Sequence, residues 1–500
     1  MFLSPKESLS ERDIQKGLKI VIWDGLAAEA MTVFSSGTFL VSMALLLGAD
    51  SIQIGLLAAL PLATNVFQLV SVWLVGRYHN RRMVAVLCAY LARIPLLLVG
   101  FSVLFFSRLS LDLLIFMLFF HYLFGSIAGP SWNSWIKDMV PESMLGEYFS
   151  RRNRYTQLLN VVLSIVLALL LDYVKSRFPD FQLMVYAIFF SVAGCVGLIG
   201  GFILSRAQEP QSYLSERNVF GLFKTPFKNP NFRKLLVFNC SWAFALNIAT
   251  PFFTVFMLTT LKLSLSYVII LGVAGQMAGI LTLRLWGTFS DRYSNKSIIG
   301  VAAPLYILCI LAWCFVGIYS RQYANLLLLL CIHLASGFAI AGINLSLNNI
   351  GLKLAPKKDA IVYLSVKNIV VAIASSLGPL IGGLLAGYFV KRKLLMTIDW
   401  SSPIWHKTFK LLELHGWNFL FVIGAFFALL ALNQLSYVKE LGEIHKNTVR
   451  RIMRTTIRNN LRDYFLIGDI IAMHEQLKAS VKAGRNRFKR SKSTNEQIPR

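Results

Sequence analysis

Charged side chains are scarce in this sequence. Asp, Glu, Lys and Arg make up 15% of its 500 residues, whereas apolar side chains make up 56%. Soluble domains carry about 25% charged residues, so a water-soluble fold is not expected. The same figures exclude intrinsic disorder, which requires low hydrophobicity and a high density of charge.

Acidic residues are the scarcest of the charged types. There are 24 Asp and Glu against 50 Lys and Arg, a formal net charge of +26. Such an excess requires an anionic partner. A basic stripe on a soluble domain would indicate nucleic acid, but here the positive residues lie between apolar runs, so an anionic membrane surface fits better and no nucleic-acid partner is predicted.

Cysteine and the common catalytic motifs are also lacking. The six cysteines lie singly within apolar runs and show no CxxC spacing, which excludes a disulfide scaffold. The sequence has no GxxxxGK[ST] phosphate loop, no HExxH, no His/Cys cluster and no GxSxG nucleophile elbow. It therefore predicts no ATP-driven pump, no enzyme, no metal site and no bound cofactor.

Long apolar segments are what the chain has in abundance. A helix needs about 20 mostly apolar residues to cross the hydrocarbon core. Twelve segments qualify, and they predict an all-α membrane protein with twelve transmembrane helices. Their bounds are residues 20–47, 52–76, 83–107, 111–136, 154–174, 181–205, 235–260, 265–288, 298–319, 323–350, 361–389 and 417–438.

The distribution of Lys and Arg predicts the orientation. With the N-terminus inside, inner segments before the tail hold 23 Lys and Arg when Arg154 and Lys367, near the inner ends of their spans, are counted with them, and outer loops hold 10. Positive-inside reasoning places both termini in the cytoplasm of a multi-pass protein of the plasma (inner) membrane. The main exception is the outer stretch 391–410. No cleavable signal peptide is expected, because the first twenty residues carry several charges and no apolar core.

The chain divides into five regions. A cytoplasmic N-terminus covers residues 1–19, and two six-helix halves cover 20–205 and 235–438. Residues 206–234 form a proline-interrupted cytoplasmic linker between them. Residues 439–500 form a basic cytoplasmic tail.

An internal repeat relates the two halves. RYHNRR at residues 77–82 recurs 215 residues later as RYSNKS. Pro141, Tyr148, Ser150, Arg152 and Asn153 are matched at the same offset by Pro356, Tyr363, Ser365, Lys367 and Asn368. Two such halves related by an axis along the membrane normal are a transporter architecture, with substrate bound at mid-depth between them.

The loop after the eighth segment carries a family signature. GTFSDRYSNK, residues 287–296, resembles the GxLaDRxGRK loop of the major facilitator superfamily, whose glycine, Asp-Arg pair and final basic residue stand at Gly287, Asp291, Arg292 and Lys296. The resemblance implies two pseudo-symmetric six-helix bundles. It also implies a secondary active transporter that moves a small solute by alternating access.

The resemblance further implies a gate. In that family the loop aspartate and arginine make charge and helix-end contacts that hold the outward-facing state. The counterpart in the first half keeps Arg77 and Arg81 but has Gly76 in place of the aspartate. A simpler interpretation, in which these basic residues only determine topology, stays open.

Ionisable side chains at membrane depth are costly and are functional hypotheses by default. Glu29 lies ten residues beyond Lys19, and Arg93 lies a similar distance beyond Arg82. We expect Glu29 to be a proton-coupling carboxylate with Arg93 as its counter-charge, and a static ion pair is the alternative. Asp24 points about 140° away from Glu29 on a helix, so we expect it to cap or pair near the cytoplasmic mouth.

Other polar groups are candidates for the central cavity. His121 and His333 occupy matching positions, each followed four residues later by glycine, and either relay protons or only hydrogen-bond a neighbouring helix. Uncharged polar side chains are expected to line a cavity for a polar solute. They are Asn133, Asn344 and Gln276, with Asn65, Gln68, Asn160, Asn247 and Asn348 as further possibilities.

The basic tail, residues 439–500, has two possible interpretations. Apolar residues at helical spacing with interleaved Arg predict an amphipathic helix on anionic lipid, and a solvated tail is the alternative.

A membrane-embedded lipid or glycan transferase is a competing hypothesis. It would need clustered carboxylates or His in the outer loops, yet the candidates there are scattered. A transporter-fold scaffold that acts through its basic tail is a third hypothesis. The protein is expected to be a monomer whose partner is a small-molecule substrate.

Overall fold

The computed structural model describes residues 5–7, 9–106, 110–141, 144–211, 224–292, 294–318, 322–356, 360–402 and 406–440. Within these residues twelve helical segments are long and apolar enough to cross a membrane, which confirms the predicted architecture. We name them spans 1 to 12. They are Glu11–Leu46, Ser51–Tyr78, Arg81–Phe105, Leu111–Met139, Leu145–Arg177, Pro179–Leu204, Pro230–Thr260, Leu265–Ser290, Asn295–Phe315, Tyr323–Leu354, Val362–Phe389 and Trp417–Leu435.

The helices within the spans differ in continuity. Span 1 consists of two helices, span 2 of two helices joined by a 3-10 turn, and span 7 of two helices followed by a π-helical turn. The helical and strand bounds are Glu11–Ser35, Gly37–Leu46, Ser51–Ala63, Thr64–Phe67, Gln68–Tyr78, Arg81–Phe106, Leu111–Met139, Leu145–Arg177, Pro179–Phe181, Gln182–Leu204, Thr225–Lys228, Pro230–Ala249, Phe252–Val255, Phe256–Thr260, Leu265–Arg292, Asn295–Ala312, Trp313–Phe315, Gln322–Leu354, Ala360–Phe389, Lys393–Ser401, His406–His415 and Trp417–Leu435.

The two halves share one packing scheme. In the first half span 1 packs on spans 5 and 6, span 3 packs on spans 4 and 6, and span 2 packs on span 4. In the second half span 7 packs on spans 11 and 12, span 9 packs on spans 10 and 12, and span 8 packs on span 10. Every pair in one half therefore has its counterpart six spans later, so the sequence repeat corresponds to a repeat of helix packing.

The halves meet at one end of the molecule. We call the end where spans 6 and 7 are joined the linker end, and the opposite end the hairpin end. Near the hairpin end, Gly55 of span 2 faces the backbone of Pro379 in span 11 so closely that a Cβ would clash. There, too, the Asp172 carboxylate of span 5 accepts hydrogen bonds from the backbone N–H groups of Leu265 at 2.9 Å and Ser266 at 2.8 Å, where span 8 begins.

Spans 1 and 7 are interrupted at equivalent positions. Span 1 breaks at Ser36, which is extended, and Gly37, whose positive φ of 60° favours glycine. Span 7 breaks at Pro251, 215 residues after Ser36, so the repeat extends to the breaks. The helices beyond the breaks, Gly37–Leu46 and Phe252–Val255, pack against each other across the two halves. Hydropathy did not predict these breaks, because both segments stay apolar through them.

A β-hairpin joins spans 11 and 12, which the all-α prediction missed. Strands Lys393–Ser401 and His406–His415 pair antiparallel, and Lys393 Nζ lies 2.7 Å from Glu413 Oε1. The side chains of the first strand are exposed. The cluster of positive residues that weakened the positive-inside assignment lies in and beside this hairpin.

Candidate functional site

A cavity of about 570 Å³ lies toward the linker end of the first half. The sequence repeat predicted a site between the halves, but all residues that line this cavity belong to spans 1 to 6. Its polar and aromatic lining consists of Asp24, Thr64, Asn65, Gln68, Arg93, His121, Tyr122, Ser126, Trp132, Asn133 and Arg152. Among the described residues no group of three or more His, Cys, Asp or Glu is placed to hold a metal ion.

Span 2 changes its helical form beside the cavity. Pro61 lies within the first helix of the span, and the 3-10 turn Thr64–Phe67 follows it. Thr64 Oγ1 donates to the carbonyl of Leu60 at 2.9 Å, and Gln68 Nε2 donates to Asn65 Oδ1 at 3.1 Å. Interrupted helices that line a cavity are a common way for a membrane protein to present polar groups to a solute.

Asp24 and Arg93 form a buried ion pair at the cavity wall. Their side chains approach to 3.6 Å between Arg93 Nη2 and Asp24 Oδ1, and the residues are 4% and 6% exposed. Within the described part of the chain, Asp24 Oδ1 and Arg93 Nη1 have no hydrogen-bond partner. A buried pair offsets its desolvation cost only when further hydrogen bonds satisfy it, so this pair leaves polar atoms unsatisfied at the cavity.

A glycine face on span 6 makes room for the arginine. The side chain of Arg93 lies along Gly197 and Gly201, and a Cβ on Gly201 would overlap Arg93 Nη1. A Cβ on Gly200 would lie 3.6 Å from Asp24 Oδ1. These glycines therefore set the depth and direction of the guanidinium group.

Arg152 provides the second positive charge. Its guanidinium carbon lies 5.1 Å from the centroid of the Trp132 ring, a cation–π contact, and its Nε donates to the carbonyl of Val21 at 3.4 Å. Gly25 leaves space for this side chain, because a Cβ there would lie 2.7 Å from Arg152 Nε. The indole N–H of Trp132 is buried and interacts with the Asp24 carboxylate, without reaching the geometry of a normal hydrogen bond.

The expected pairing of Glu29 with Arg93 is wrong. Arg93 pairs with Asp24, and Glu29 Oε1 accepts a hydrogen bond from Asn160 Nδ2 at 2.6 Å. The helix of span 1 begins at Glu11 rather than at residue 20. Asp24, expected to cap or pair near the cytoplasmic mouth, pairs with Arg93 and lines the cavity.

The two matching histidines have different surroundings. His121 lines the cavity, and its Nδ1 lies 2.7 Å from the carbonyl oxygen of Ala92 on span 3. The Nδ1 of His333 lies 2.8 Å from the carbonyl oxygen of Leu329 on its own helix. Gly337, beside His333, packs directly on the backbone of Gly275 in span 8. The repeated motif therefore borders a cavity in the first half and a close helix crossing in the second.

The predicted amide candidates are divided between the halves. Asn133 lines the cavity and is exposed. Asn344 and Gln276 are exposed on spans 10 and 8 and are not part of this cavity lining. The structure thus brings together Arg93, His121 and Asn133 from the predicted set.

The residues of the predicted gate lie at the linker end. Arg77 is exposed, and Gly287 has no atom within 4 Å of where a Cβ would lie. The backbones of Asp291 and Arg292 end the helix of span 8, and their side chains lie outside the described residues. Their gating role stays a prediction.

Arg81 is enclosed by its own half. It is 1% exposed and donates through Nε to Glu209 Oε1 at 2.8 Å, while its Nη1 contacts Asp138 at the end of span 4. Glu209 also accepts from the backbone N–H groups of Arg81 at 3.1 Å and Arg82 at 2.9 Å. This carboxylate therefore neutralises a buried guanidinium and caps the start of span 3.

Glu440 repeats this arrangement in the second half. It accepts from the backbone N–H groups of Asn295 at 3.3 Å and Lys296 at 2.8 Å, where span 9 begins, and from Lys353 Nζ at 3.2 Å. Glu209 and Glu440 each follow the last helix of their half by five residues. The 215-residue repeat did not reveal this pair, because the hairpin makes the separation of the two glutamates 231 residues.

Comparisons with known proteins agree with this architecture. The family model described as Major Facilitator Superfamily matches residues 25–379. No sequence of a curated protein matches this chain. A mutant of the nucleoside transporter NupG has a TM-score of 0.62 at 13% identity, over 85% of this chain and 100% of that one.

Two further solved structures are similar. A D-xylose–proton symporter has a TM-score of 0.61 at 13% identity, over 86% of this chain and 100% of that one. The inward-open xylose transporter XylE from E. coli has a TM-score of 0.59 at 12% identity, over 88% and 99%. Identities this low indicate a likeness of fold alone.

Proposed function

This chain belongs to the major facilitator superfamily, and on that premise we propose that it is a secondary transporter which moves a small polar solute by alternating access. It is a multi-pass membrane protein with a transporter fold. The family and the similar structures favour transport over the transferase hypothesis. The scaffold hypothesis depends on the tail, residues 439–500, of which 441–500 lie outside the described residues.

The observation that carries the proposal is the position of the cavity relative to the contacts between the halves. Two contacts join the halves near the hairpin end. Span 2 packs on span 11, and Asp172 of span 5 accepts hydrogen bonds from the first backbone N–H groups of span 8. The cavity lies toward the linker end. Since Lys and Arg favour a cytoplasmic linker end, this arrangement supports an inward-facing state in the inner membrane, closed to the outside.

Proton coupling is proposed to use a carboxylate of the first half. Glu29 is half-buried and bonded to Asn160 of span 5, so its protonation would weaken a contact between two spans of the moving half. Glu29 is not part of the cavity lining, so it would act beside the solute rather than on it.

A flux assay tests the function. The full chain in liposomes is expected to accumulate at least one solute from a panel of radiolabelled sugars, amino acids, nucleosides, carboxylates and phosphate esters. If a proton is coupled, Glu29→Gln should abolish accumulation driven by a pH gradient and leave exchange between equal pools intact. Absence of flux for every solute under every ion gradient would contradict the proposed function. Unchanged proton-driven accumulation would remove Glu29 from the mechanism.

Asp172→Asn is expected to shift the protein away from the inward-facing state. The carboxylate caps span 8 across the halves, and a contact made in one conformation biases the equilibrium toward it. Loss of about 1.5 kcal/mol, the lower end of the range for one hydrogen bond to a charged group, changes the ratio of the two states roughly tenfold.

Cysteine labelling measures this shift. In a background without the six natural cysteines, a reporter at Asn133→Cys reacts with an impermeant maleimide from the linker side. Asp172→Asn should slow this labelling, whereas Asp180→Asn, a change of an exposed carboxylate at the same end, should not. Equal labelling rates in both variants would show that Asp172 does not hold the hairpin end closed.

A further inference from the structure

We propose that the cavity of the first half binds a small organic anion, a carboxylate or a phosphate ester, between the guanidinium groups of Arg93 and Arg152, and that Asp24 competes with this anion for Arg93. The inference rests on the proposed transport function and adds the class of substrate. Neither Arg152 nor Asp24 was among the sequence-predicted site residues.

The charges of the cavity favour an anion. The charged residues of its lining are Arg93, Arg152 and Asp24, two positive groups and one negative. A cationic solute would meet this excess of positive charge at low dielectric, where repulsion is strong. A neutral solute would leave the excess uncompensated, and an uncompensated charge away from water is costly.

The geometry shows where an anion would be held. Arg93 Nη2 stands 3.6 Å from Asp24 Oδ1, beyond hydrogen-bond length, whereas Arg93 Nη1 is buried against Gly201 of span 6. Arg152 hydrogen-bonds through Nε to a backbone carbonyl at 3.4 Å, a long bond. Guanidinium groups present paired N–H donors that match the paired oxygens of carboxylates and phosphates. The loose pair at Asp24 is therefore one that an incoming oxyanion can replace.

The remainder of the lining indicates a solute with a carbon skeleton. A volume of about 570 Å³ far exceeds what an inorganic anion fills and lies within the usual range for small-molecule sites. The rings of Trp132 and Tyr122 provide apolar surface, and Asn65, Gln68 and Asn133 provide hydrogen bonds for hydroxyl or carbonyl groups.

The internal repeat provides a matched control. Lys367 occupies the position of Arg152 in the second half, is 7% exposed, and donates to the carbonyl of Leu347 at 3.4 Å. It carries the same charge at the equivalent place but is not part of the cavity lining. Lys367→Gln therefore removes one positive charge from the protein without changing the proposed site.

Direct binding to the purified full chain in detergent tests the inference. Isothermal titration compares two matched pairs of probes, succinate with succinamide and glucose 6-phosphate with glucose. We expect at least one anion to bind and its neutral partner not to bind, and the pair that responds distinguishes carboxylate from phosphate. Arg152→Gln should weaken anion binding at least tenfold, Arg152→Lys should weaken it less, and Lys367→Gln should leave it unchanged. Asp24→Asn should tighten binding several-fold, because the competitor for Arg93 loses its charge.

Several outcomes would overturn the inference. Equal binding within each pair, no binding of either anion, or equal effects of Arg152→Gln and Lys367→Gln would each exclude an arginine-held anion. Weaker binding to Asp24→Asn would exclude the competition. Flux of a neutral solute without anion binding would reject the substrate class and leave the transporter in place. Anion binding without flux of any solute would reject the transport function and leave the anion site.

Discussion

Glu209→Gln is expected to lower the free energy of unfolding by about 3 kcal/mol. The carboxylate is 1% exposed and holds both the guanidinium of Arg81 and two backbone N–H groups at the start of span 3. Glutamine would keep one acceptor oxygen but would point an amide N–H at one of those backbone donors. The loss lies at the lower end of the range for breaking a buried pair, because Asp138 still contacts Arg81.

The second half provides the control for this prediction. Glu440→Gln removes a carboxylate with the same helix-capping role, but its ion-pair partner Lys353 has a side chain that is 51% exposed. Water can solvate that ammonium group after the substitution, so the expected loss is only about 1 kcal/mol. Unfolding titrations of the full chain in mixed micelles measure both. Equal losses in the two variants would show that the burial of Arg81 does not determine how much unfolding free energy is lost.

Hydropathy and the repeat predicted most of the fold, because both depend on residue type and spacing alone. Span 1, however, was expected to start at residue 20, whereas its helix begins at Glu11. Ser10 caps it with a hydrogen bond from Asp13 N at 3.2 Å, and charged residues occupy its first turns. A window chosen for apolar content cannot include such a polar extension beyond the hydrocarbon.

The sequence of the hairpin has the alternating pattern of a β-strand. Leu394, Met396, Ile398 and Trp400 recur at the period of a strand, and the sequence Ser-Ser-Pro at 401–403 separates this run from the next. A search for apolar segments of about 20 residues does not detect this short strand pattern. The hairpin and the residues beside it also carry the positive side chains between spans 11 and 12 that disagree with the positive-inside rule.

The candidate site was less predictable, because contacts between spans depend on how helices rotate against each other. Arg93 was recognised as an unusual charge in the membrane, but its partner was not. The guanidinium lies along the Gly197 and Gly201 face of span 6, which directs it toward Asp24 of span 1. Depth along a helix can be counted from the sequence, whereas this direction follows from packing against a third span. The glycines of span 6 are the sequence feature that could have indicated it.

Arg93→Gln is expected to cost about 3–5 kcal/mol of stability, because it leaves the buried carboxylate of Asp24 without its paired charge. Asp24→Asn should cost a similar amount, because it leaves a buried guanidinium in the same position. The double variant Asp24→Asn/Arg93→Gln should recover most of the loss, since two neutral amides of similar shape need no counter-charge.

The double-mutant cycle separates an ion pair from two independent packing losses. Unfolding titrations of the two single variants and the double variant, each in the full chain, give the coupling energy between Asp24 and Arg93. If the losses simply add, the two charges do not stabilise each other, and their 3.6 Å approach is not an ion pair in the energetic sense. If the double variant is stable but no longer binds any solute, the pair is dispensable for folding and is retained for its role in the cavity. Such a result would agree with a cavity whose unsatisfied polar atoms are completed by the solute that it carries.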